Sequence, residues 1–350
     1  MHGGNVWQGG DPAKWLDFSA NLRPEGPPDW VRDALLDAVA EAAYYPDPGL
    51  RREREALGRW LELPPDRVLP TAGGIEAIAL AAGVKASRTL VFAPCFGEYA
   101  RQAGIRGRPV CPAPLLTARH TPGDPAALAG EVLAKGDAVW LCNPVNPLGM
   151  AFSREQVSRL LELVEAKESW LIVDEAFIDC CPECSARPLL AAHGRLVIVG
   201  SMTKILGIPG VRLGYVCARP GVLEALARGR APWPLNCFAG AALRALPGHR
   251  EDVRRYAAEN ARRREAFRTS LEELGAFVYP SRASFLLADF ARPVAPLAAA
   301  LKQKGILVRE CMDFAGIDDG AHLRFAVRTD AENQRLIAAL KEAAACAGNR

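Results

Sequence analysis

The sequence lacks long apolar runs and a strong net charge, and each absence excludes a class of function. No apolar stretch reaches the roughly 18 residues that a membrane-spanning helix needs. Residues 1–5 carry no apolar core of a secretory signal, so we expect a cytoplasmic protein that contacts no membrane. The formal net charge of the 350-residue chain is only +3, which predicts no nucleic-acid partner.

A paired set of metal-binding side chains is also missing. The ten cysteines are scattered, and without a secretory signal they are expected to be reduced thiols. Cys180, Cys181 and Cys184 lie close together, but a zinc site usually needs a second Cys or His pair at a defined spacing. His193 alone does not supply this second pair, so we predict no metal site.

Residues 201–214 are the most informative segment that is present. They follow an apolar run at residues 196–200 that is typical of a buried strand. Lys204 comes just past the strand end, where a dry pocket would let it form an imine with an aldehyde. Ser201, Thr203 and Arg212 supply the hydroxyls and the guanidinium fork that hold a phosphate dianion. An aldehyde and a phosphate on one small molecule describe pyridoxal 5'-phosphate (PLP). A solvated turn is the alternative interpretation of the Ser-x-Thr-Lys part alone.

Apolar runs alternate with helical patterns through the middle of the chain, which predicts an α/β fold. The runs lie at residues 90–93, 138–142, 170–174, 196–199 and 213–217. Ser153 and Gln156 have the spacing of a capping box before an amphipathic helix. Fully apolar strands separated by such helices indicate a mainly parallel sheet covered on both faces.

The pattern changes near residue 235, which indicates a second domain. A basic helical stretch precedes short alternating strands, and a second capping box at Thr329 and Glu332 begins a final helix. We predict an N-terminal segment over residues 1–45 that packs on the small domain. A large domain over residues 46–235 and a smaller α+β domain over residues 236–350 complete the division.

Polar or aromatic side chains follow several predicted strands. In an open parallel sheet, ligands bind beyond the carboxyl ends of the strands. Asp174, Asn146 and Phe96 stand at such positions, and the Gly73-Gly74 pair precedes an apolar helix. Each has an ordinary alternative: a capping aspartate, an Asx-turn, a core aromatic and a glycine turn.

The order of these residues resembles the fold-type I PLP enzymes of the class I/II aminotransferase superfamily. The resemblance covers nearly the whole chain and implies a seven-stranded sheet in the large domain. It implies that Lys204 binds the cofactor aldehyde and that Asp174 pairs with the ring nitrogen. Asn146 would bond the phenolic oxygen, and Phe96 would stack on the ring.

The same resemblance implies a phosphate site and a homodimer. Ser201, Thr203, Arg212 and the amides of Gly73 and Gly74 would hold the cofactor phosphate. Tyr45 is similar to a tyrosine that reaches this phosphate from the partner subunit in the histidinol-phosphate aminotransferase branch. One departure is Phe177, because many aminotransferases have a tyrosine there that bonds the phenolic oxygen.

Segments near residues 2–5, 17–21, 174–179 and 323–329 resemble the threonine-phosphate decarboxylases of cobalamin biosynthesis, which are related to the histidinol-phosphate aminotransferases. Arg324 would bind the substrate carboxylate. Arg328 would face the substrate phosphate or bridge to a nearby carboxylate, and the same alternative applies to Arg309. His2 and Asn21 are further candidate phosphate contacts.

The resulting hypothesis is PLP-dependent decarboxylation of O-phosphothreonine to an aminopropanol phosphate. O-phosphoserine decarboxylation and a histidinol-phosphate-type amino transfer remain alternatives. A PLP-binding regulator without catalytic activity is a third, and the presence of both Lys204 and Asp174 argues against it.

Overall fold

The structure, a computed structural model, describes residues 3–348 and contains a seven-stranded and a four-stranded sheet. The strands are β1 (Leu16–Asp17), β2 (Val68–Thr71), β3 (Arg88–Ala93), β4 (Val110–Pro114), β5 (Leu116–Ala118), β6 (Thr121–Pro122), β7 (Asp137–Cys142), β8 (Trp170–Asp174), β9 (Leu196–Ser201), β10 (Gly214–Cys217), β11 (Phe277–Val278), β12 (Phe285–Asp289), β13 (Ile306–Leu307), β14 (Arg309–Glu310) and β15 (His322–Ala326). The α-helices are α1 (Asp29–Asp37), α2 (Arg51–Leu61), α3 (Gly74–Ala81), α4 (Glu98–Ile105), α5 (Pro125–Val132), α6 (Arg154–Ala166), α7 (Met202–Ile205), α8 (Pro220–Ala227), α9 (Cys237–Ala245), α10 (Arg250–Glu272), α11 (Ala295–Gln303) and α12 (Asp330–Gly348).

The large sheet confirms the predicted α/β class. Its strand order is β2-β10-β9-β8-β7-β3-β4, and all pairs are parallel except those that β10 makes with β9 and β2. Alternate residues of β7 and β8 pack into two separate apolar cores, one on each face of the sheet. Strands buried on both faces have to be apolar throughout, which is why the sequence shows them as uninterrupted runs.

Two strands of this sheet, β2 and β4, were not among the predicted runs. Both are edge strands. Pro70 lies in β2, and Pro112 and Pro114 lie in β4. Proline cannot donate a ladder hydrogen bond and is tolerated mainly at sheet edges, so edge strands give the weakest sequence pattern.

The small sheet confirms the predicted α+β unit. It is antiparallel with the order β11-β12-β15-β14, and its core includes Phe267 of α10 and Phe325 of β15. The N-terminal segment joins this unit: β1 pairs with β13 through Leu16 and Ile306, and Phe18 is fully buried in the same core. The limits at residues 45 and 235 stay a prediction.

Local hydrogen bonds position two helices as predicted. Ser153 Oγ accepts from the amide of Gln156 at 3.3 Å, and Gln156 Oε1 accepts from the amide of Ser153 at 2.9 Å. Thr329 and Glu332 make the same reciprocal pair at the start of α12. Both predicted capping boxes are therefore confirmed.

Within residues 3–348, no helix combines the length and the apolarity needed to cross a bilayer. Cys181 and Cys184 are unpaired thiols that pack with Ile178 in a small apolar cluster.

Candidate active site

A cavity of about 500 Å³ lies at the carboxyl edge of the large sheet. Because β7, β8 and β9 are parallel, their ends bring Cys142, Asp174 and Ser201 to the same edge. The N-terminal segment and the small sheet complete the lining. The cavity brings together most of the sequence-predicted side chains: Asn21, Gly74, Phe96, Asn146, Asp174, Ser201, Thr203, Lys204, Arg212 and Arg324.

Lys204 lies on the one-turn helix α7, directly after β9. Burial, together with the nearby cations of Arg324 and Arg212, lowers the pKa of its ammonium to about 8, while Asp174 opposes the shift. A lysine with a depressed pKa carries more neutral amine near neutral pH. Its environment therefore favours attack on an aldehyde.

Asp174 ends β8 and is 4% exposed. Burial raises the pKa of its carboxyl, and hydrogen bonds from Tyr99 and from the amide of Ala176 oppose that rise. Tyr99 Oη donates to Oδ2 at 2.7 Å, and the Ala176 amide donates to Oδ1 at 3.0 Å. No sequence pattern marked Tyr99, because an aromatic residue in an amphipathic helix is typical of an ordinary core position.

The loop before α3 forms the anion-binding end of the cavity. Gly73 has a φ of +84°, and a Cβ there would come within 2.6 Å of Nη2 of Arg212. Only glycine permits this approach of the backbone to the guanidinium. Ser201 Oγ and Thr203 Oγ1 hydrogen-bond to each other beside it. A phosphate-binding site is therefore formed by the amides at the start of α3, the two hydroxyls and the guanidinium of Arg212.

Arg324 lies on β15 of the small sheet, lines the cavity and is 6% exposed. Nη1 donates to Oδ1 of Asn146 at 2.5 Å, and Nη2 donates to the carbonyl oxygen of Ser19 at 2.8 Å. Its Nε is buried with no hydrogen-bond partner among the described residues. Burial lowers the pKa of Arg324 to about 10, so it remains a cation at neutral pH.

Arg309 also lines the cavity, on β14. Its Nη2 donates to both carboxylate oxygens of Asp313 at 2.6 and 2.7 Å, and its Nη1 donates to the carbonyl oxygen of Glu310 at 2.8 Å. Asp313 lines the cavity as well. The carboxylate bridge that the sequence left open for this arginine is therefore present. Both members of the pair nevertheless face the cavity, where an anion and a cation of a ligand can reach them.

Two of the predicted site residues lie elsewhere. Arg328 does not line the cavity, since its fork donates to the carbonyl oxygen of Asp17 at 3.0 Å and to Glu332 at 2.8 Å. Tyr45 is 80% exposed, with its ring 4.6 Å from that of Trp233, outside the cavity of this chain. His2 lies outside the described residues.

The residues present fit the PLP that the sequence predicts. A glycine cradle beside Arg212 suits a phosphate, and a buried lysine of lowered pKa suits an aldehyde. Asp174 offers a buried carboxylate to a protonated ring nitrogen. Asn21 adds a buried side-chain oxygen without a partner among residues 3–348, and Arg324 adds an unpartnered Nε. A cavity whose lining side chains carry unsatisfied polar atoms is suited to a ligand with polar groups.

Comparison with solved structures supports the same family. A histidinol-phosphate aminotransferase from Clostridium acetobutylicum superposes with a TM-score of 0.87 at 26% identity, covering 93% of this chain and 98% of that one. An L-threonine-O-3-phosphate decarboxylase from Porphyromonas gingivalis superposes with a TM-score of 0.83 at 27% identity, with the same two coverages.

Sequence relatives divide between the same two activities. The threonine-phosphate decarboxylase of Salmonella typhimurium is 33% identical, over 97% of this chain and 95% of that protein. A histidinol-phosphate aminotransferase of Symbiobacterium thermophilum is 35% identical, over 94% of this chain and 90% of that protein. The family model "Aminotransferase class I and II" matches residues 13–340. The chain belongs to the aminotransferase class I and II family, whose enzymes work with pyridoxal 5'-phosphate.

Proposed function

We propose that the protein decarboxylates a phosphorylated amino acid, with O-phosphothreonine as substrate and (R)-1-aminopropan-2-yl phosphate and CO2 as products. The observation that carries this proposal is the pair of guanidinium forks, Arg324 and Arg309, in one cavity with Lys204. Beyond the phosphate site at Gly73 and Arg212, the cavity is lined by two further cations, Arg324 and the Asp313-paired Arg309. They suit a substrate with two anionic groups, a carboxylate and a phosphate.

The electron sink for this reaction comes from PLP, which when bound favours breaking the substrate Cα bond that stands perpendicular to its ring. Asp174 would hold a proton on the ring nitrogen. Asn146 keeps its side-chain oxygen on Arg324, so its amide nitrogen is the group left to donate to the phenolic oxygen. Lys204 would return a proton to Cα.

The two arginine forks would decide which Cα bond is perpendicular. Arg324 would take the carboxylate, and Arg309 would release Asp313 to take the phosphate. Fixing both anionic ends of a small substrate removes its freedom to rotate about Cα, so the geometry of the forks selects the bond. The N-terminal segment covers the site, since Gly3 and Ser19 line the cavity and the amide of Gly4 donates to Ser19 Oγ at 2.8 Å.

Phe177 favours decarboxylation over plain amino transfer. Its ring lies edge-on to that of Phe285, with centroids 5.0 Å apart, and brings no hydroxyl to the cavity. The tyrosine expected there in many aminotransferases would be a second donor to the phenolic oxygen. Similarity to the Salmonella typhimurium decarboxylase along 97% of the chain also supports the proposal.

The test is incubation of the purified holoenzyme with O-phosphothreonine and no keto acid. We expect CO2 release, and in D2O one deuteron at Cα of the aminopropanol phosphate. O-phosphoserine and unphosphorylated threonine are the matched substrates. O-phosphoserine shows whether the enzyme requires the side-chain methyl group, and threonine shows whether it requires the phosphate. Absence of CO2 from both phosphorylated substrates would refute the proposal.

Histidinol-phosphate-type amino transfer is the second candidate. The TM-score of 0.87 with the Clostridium acetobutylicum aminotransferase favours it. The decisive arm is histidinol phosphate with 2-oxoglutarate: acceptor-dependent formation of glutamate, without CO2 from O-phosphothreonine, would replace the proposed function by this one.

A further inference from the structure

The hydrogen bond from Tyr99 to Asp174 links two deeply buried groups. Tyr99 is 1% exposed and Asp174 is 4% exposed. Tyr99 lies in the first turn of α4, after β3, whereas Asp174 ends β8, so the bond of 2.7 Å joins parts of the chain 75 residues apart. A buried carboxylate is stable only where donors or cations replace its hydration.

The donors around Asp174 are few and well defined. Oδ2 accepts from Tyr99 and Oδ1 accepts from the amide of Ala176, so each carboxylate oxygen has one fixed donor. Two donors at opposite oxygens determine the plane of the carboxylate. They leave one lone-pair direction on each oxygen for a ligand in the cavity.

Tyr99 remains a donor across the accessible pH range. Burial raises the pKa of its phenol well above the usual value, and the negative charge of Asp174 raises it further. The proton therefore stays on the tyrosine and points to the carboxylate. The hydrogen bond favours the ionised form of Asp174, against the burial that favours the neutral form.

Packing holds the Tyr99 ring in this orientation. The ring stacks on Trp140 of β7 with centroids 4.6 Å apart and an interplanar angle of 13°. The Phe96 ring lies edge-on to it at 6.0 Å. Because Trp140 and Phe96 belong to neighbouring strands and their loops, the phenol cannot swing away without disturbing the edge of the sheet.

From this geometry we propose that Tyr99 is a positioning residue, which holds the Asp174 carboxylate ionised and aimed at the ring nitrogen of PLP. The inference rests on the proposed role of Asp174 and not on the choice between decarboxylation and amino transfer. Without the hydroxyl, the shared proton would move from the ring nitrogen toward the carboxylate. The electron sink would then be weaker, although every group that contacts PLP is still present.

The test is the Tyr99→Phe holoenzyme, which keeps the ring and its stacking. With PLP labelled by ¹⁵N in its ring, we expect the nitrogen resonance at neutral pH to move from the protonated toward the unprotonated position. PLP binding should weaken about tenfold, as for loss of a buried hydrogen bond to a charged group. The turnover number should fall by a similar factor, and KM should change less than twofold.

Two further variants separate the possible outcomes. Tyr256→Phe removes another buried hydroxyl, one without a hydrogen-bond partner among the described residues, and should leave the nitrogen resonance unchanged. Asp174→Asn should abolish the protonated resonance. If Asp174→Asn moves the resonance and Tyr99→Phe leaves both resonance and PLP affinity unchanged, Tyr99 is only a packing residue and the inference is wrong. If Asp174→Asn has no effect, the proposed role of Asp174 fails instead.

Discussion

Arg324 donates from Nη1 to Oδ1 of Asn146 across 2.5 Å, which joins β15 of the small sheet to the turn that follows β7 of the large sheet. Its other terminal nitrogen binds the carbonyl oxygen of Ser19 in the N-terminal segment. One buried cation is therefore oriented by three separate parts of the chain. If Arg324 binds the substrate carboxylate as proposed, substrate recognition requires all three parts to be folded together.

Replacement of Arg324 by Ala should weaken substrate binding by about 2–4 kcal/mol, because a buried fork that pairs with a carboxylate is lost. PLP binding should change much less. Competition binding of O-phosphothreonine and titration with PLP measure the two effects. Arg328→Ala is the matched control, since that arginine binds Asp17 and Glu332 outside the cavity and should leave substrate affinity unchanged. Equal loss of substrate and PLP affinity in Arg324→Ala would contradict the assignment.

Replacement of Lys204 by Ala should abolish the visible absorption band of the lysine-bound cofactor. Borohydride should bleach that band in the unchanged protein by reducing the lysine–cofactor bond. Lys135→Ala is the control, because Lys135 is an exposed residue that pairs with Glu168 at 2.5 Å. A band that persists in Lys204→Ala would mean that another lysine binds PLP.

The rate at which the apoprotein takes up PLP should rise with pH and level off above about pH 8, because the attacking group would be neutral Lys204, whose pKa is about 8. Arg324→Gln removes a cation that lowers this pKa, so the midpoint should move to higher pH. Stopped-flow absorbance follows the reaction, with Arg328→Gln as control. A midpoint that stays in place or falls would show that Arg324 does not act on Lys204.

Asp179→Asn should stabilise the protein above pH 6. Burial raises the pKa of Asp179 to about 6 from its ordinary value of 3.8, and Arg187 opposes the rise. A carboxyl with a raised folded-state pKa contributes most below its unfolded pKa, and the contribution is lost as pH rises through 6. The gain should be about 1–3 kcal/mol at pH 8 and near zero at pH 4 in chemical denaturation. The exposed Asp33→Asn should show no such difference, and a loss of stability at pH 8 in Asp179→Asn would refute the prediction.

Tyr45 tests the shared site. If it reaches the cofactor phosphate of the partner subunit, Tyr45→Ala should lose activity at limiting PLP. Mixing this variant with Lys204→Ala should restore about one quarter of the activity, because half the dimers are mixed and each has one complete site. Activity assays before and after subunit exchange measure the recovery. No recovery, with mixed dimers present, would place Tyr45 outside the site.

The sequence located the groups whose positions depend on local structure. Lys204 and Asp174 directly follow apolar runs, and in a parallel sheet the strand ends meet at one edge. These residues could be placed at that edge without knowledge of the strand order, because the carboxyl end of every buried parallel strand lies there. The glycine pair at residues 73 and 74 was visible for a similar reason, as it marks a strand-to-helix turn.

The two arginines of the small sheet show where such reasoning fails. Arg324 and Arg328 are four residues apart, and a continuous strand would put both on one face. In the structure β15 ends at Ala326, and Arg328 turns to the Glu332 carboxylate of the capping box. The sequence predicted both the strand and the capping box, but it did not show whether Arg328 belongs to the strand or contacts the capping-box glutamate.

The sequence by itself therefore determined the five inner strands of the large sheet, the two capped helices, the lysine and the carboxylate, because periodic burial and helix capping act over a few residues. Only the tertiary structure decided that Tyr99 donates a hydrogen bond to Asp174, and that Arg324 faces the cavity while Arg328 does not. Those choices depend on contacts between residues 75 to 305 positions apart, which no local pattern encodes.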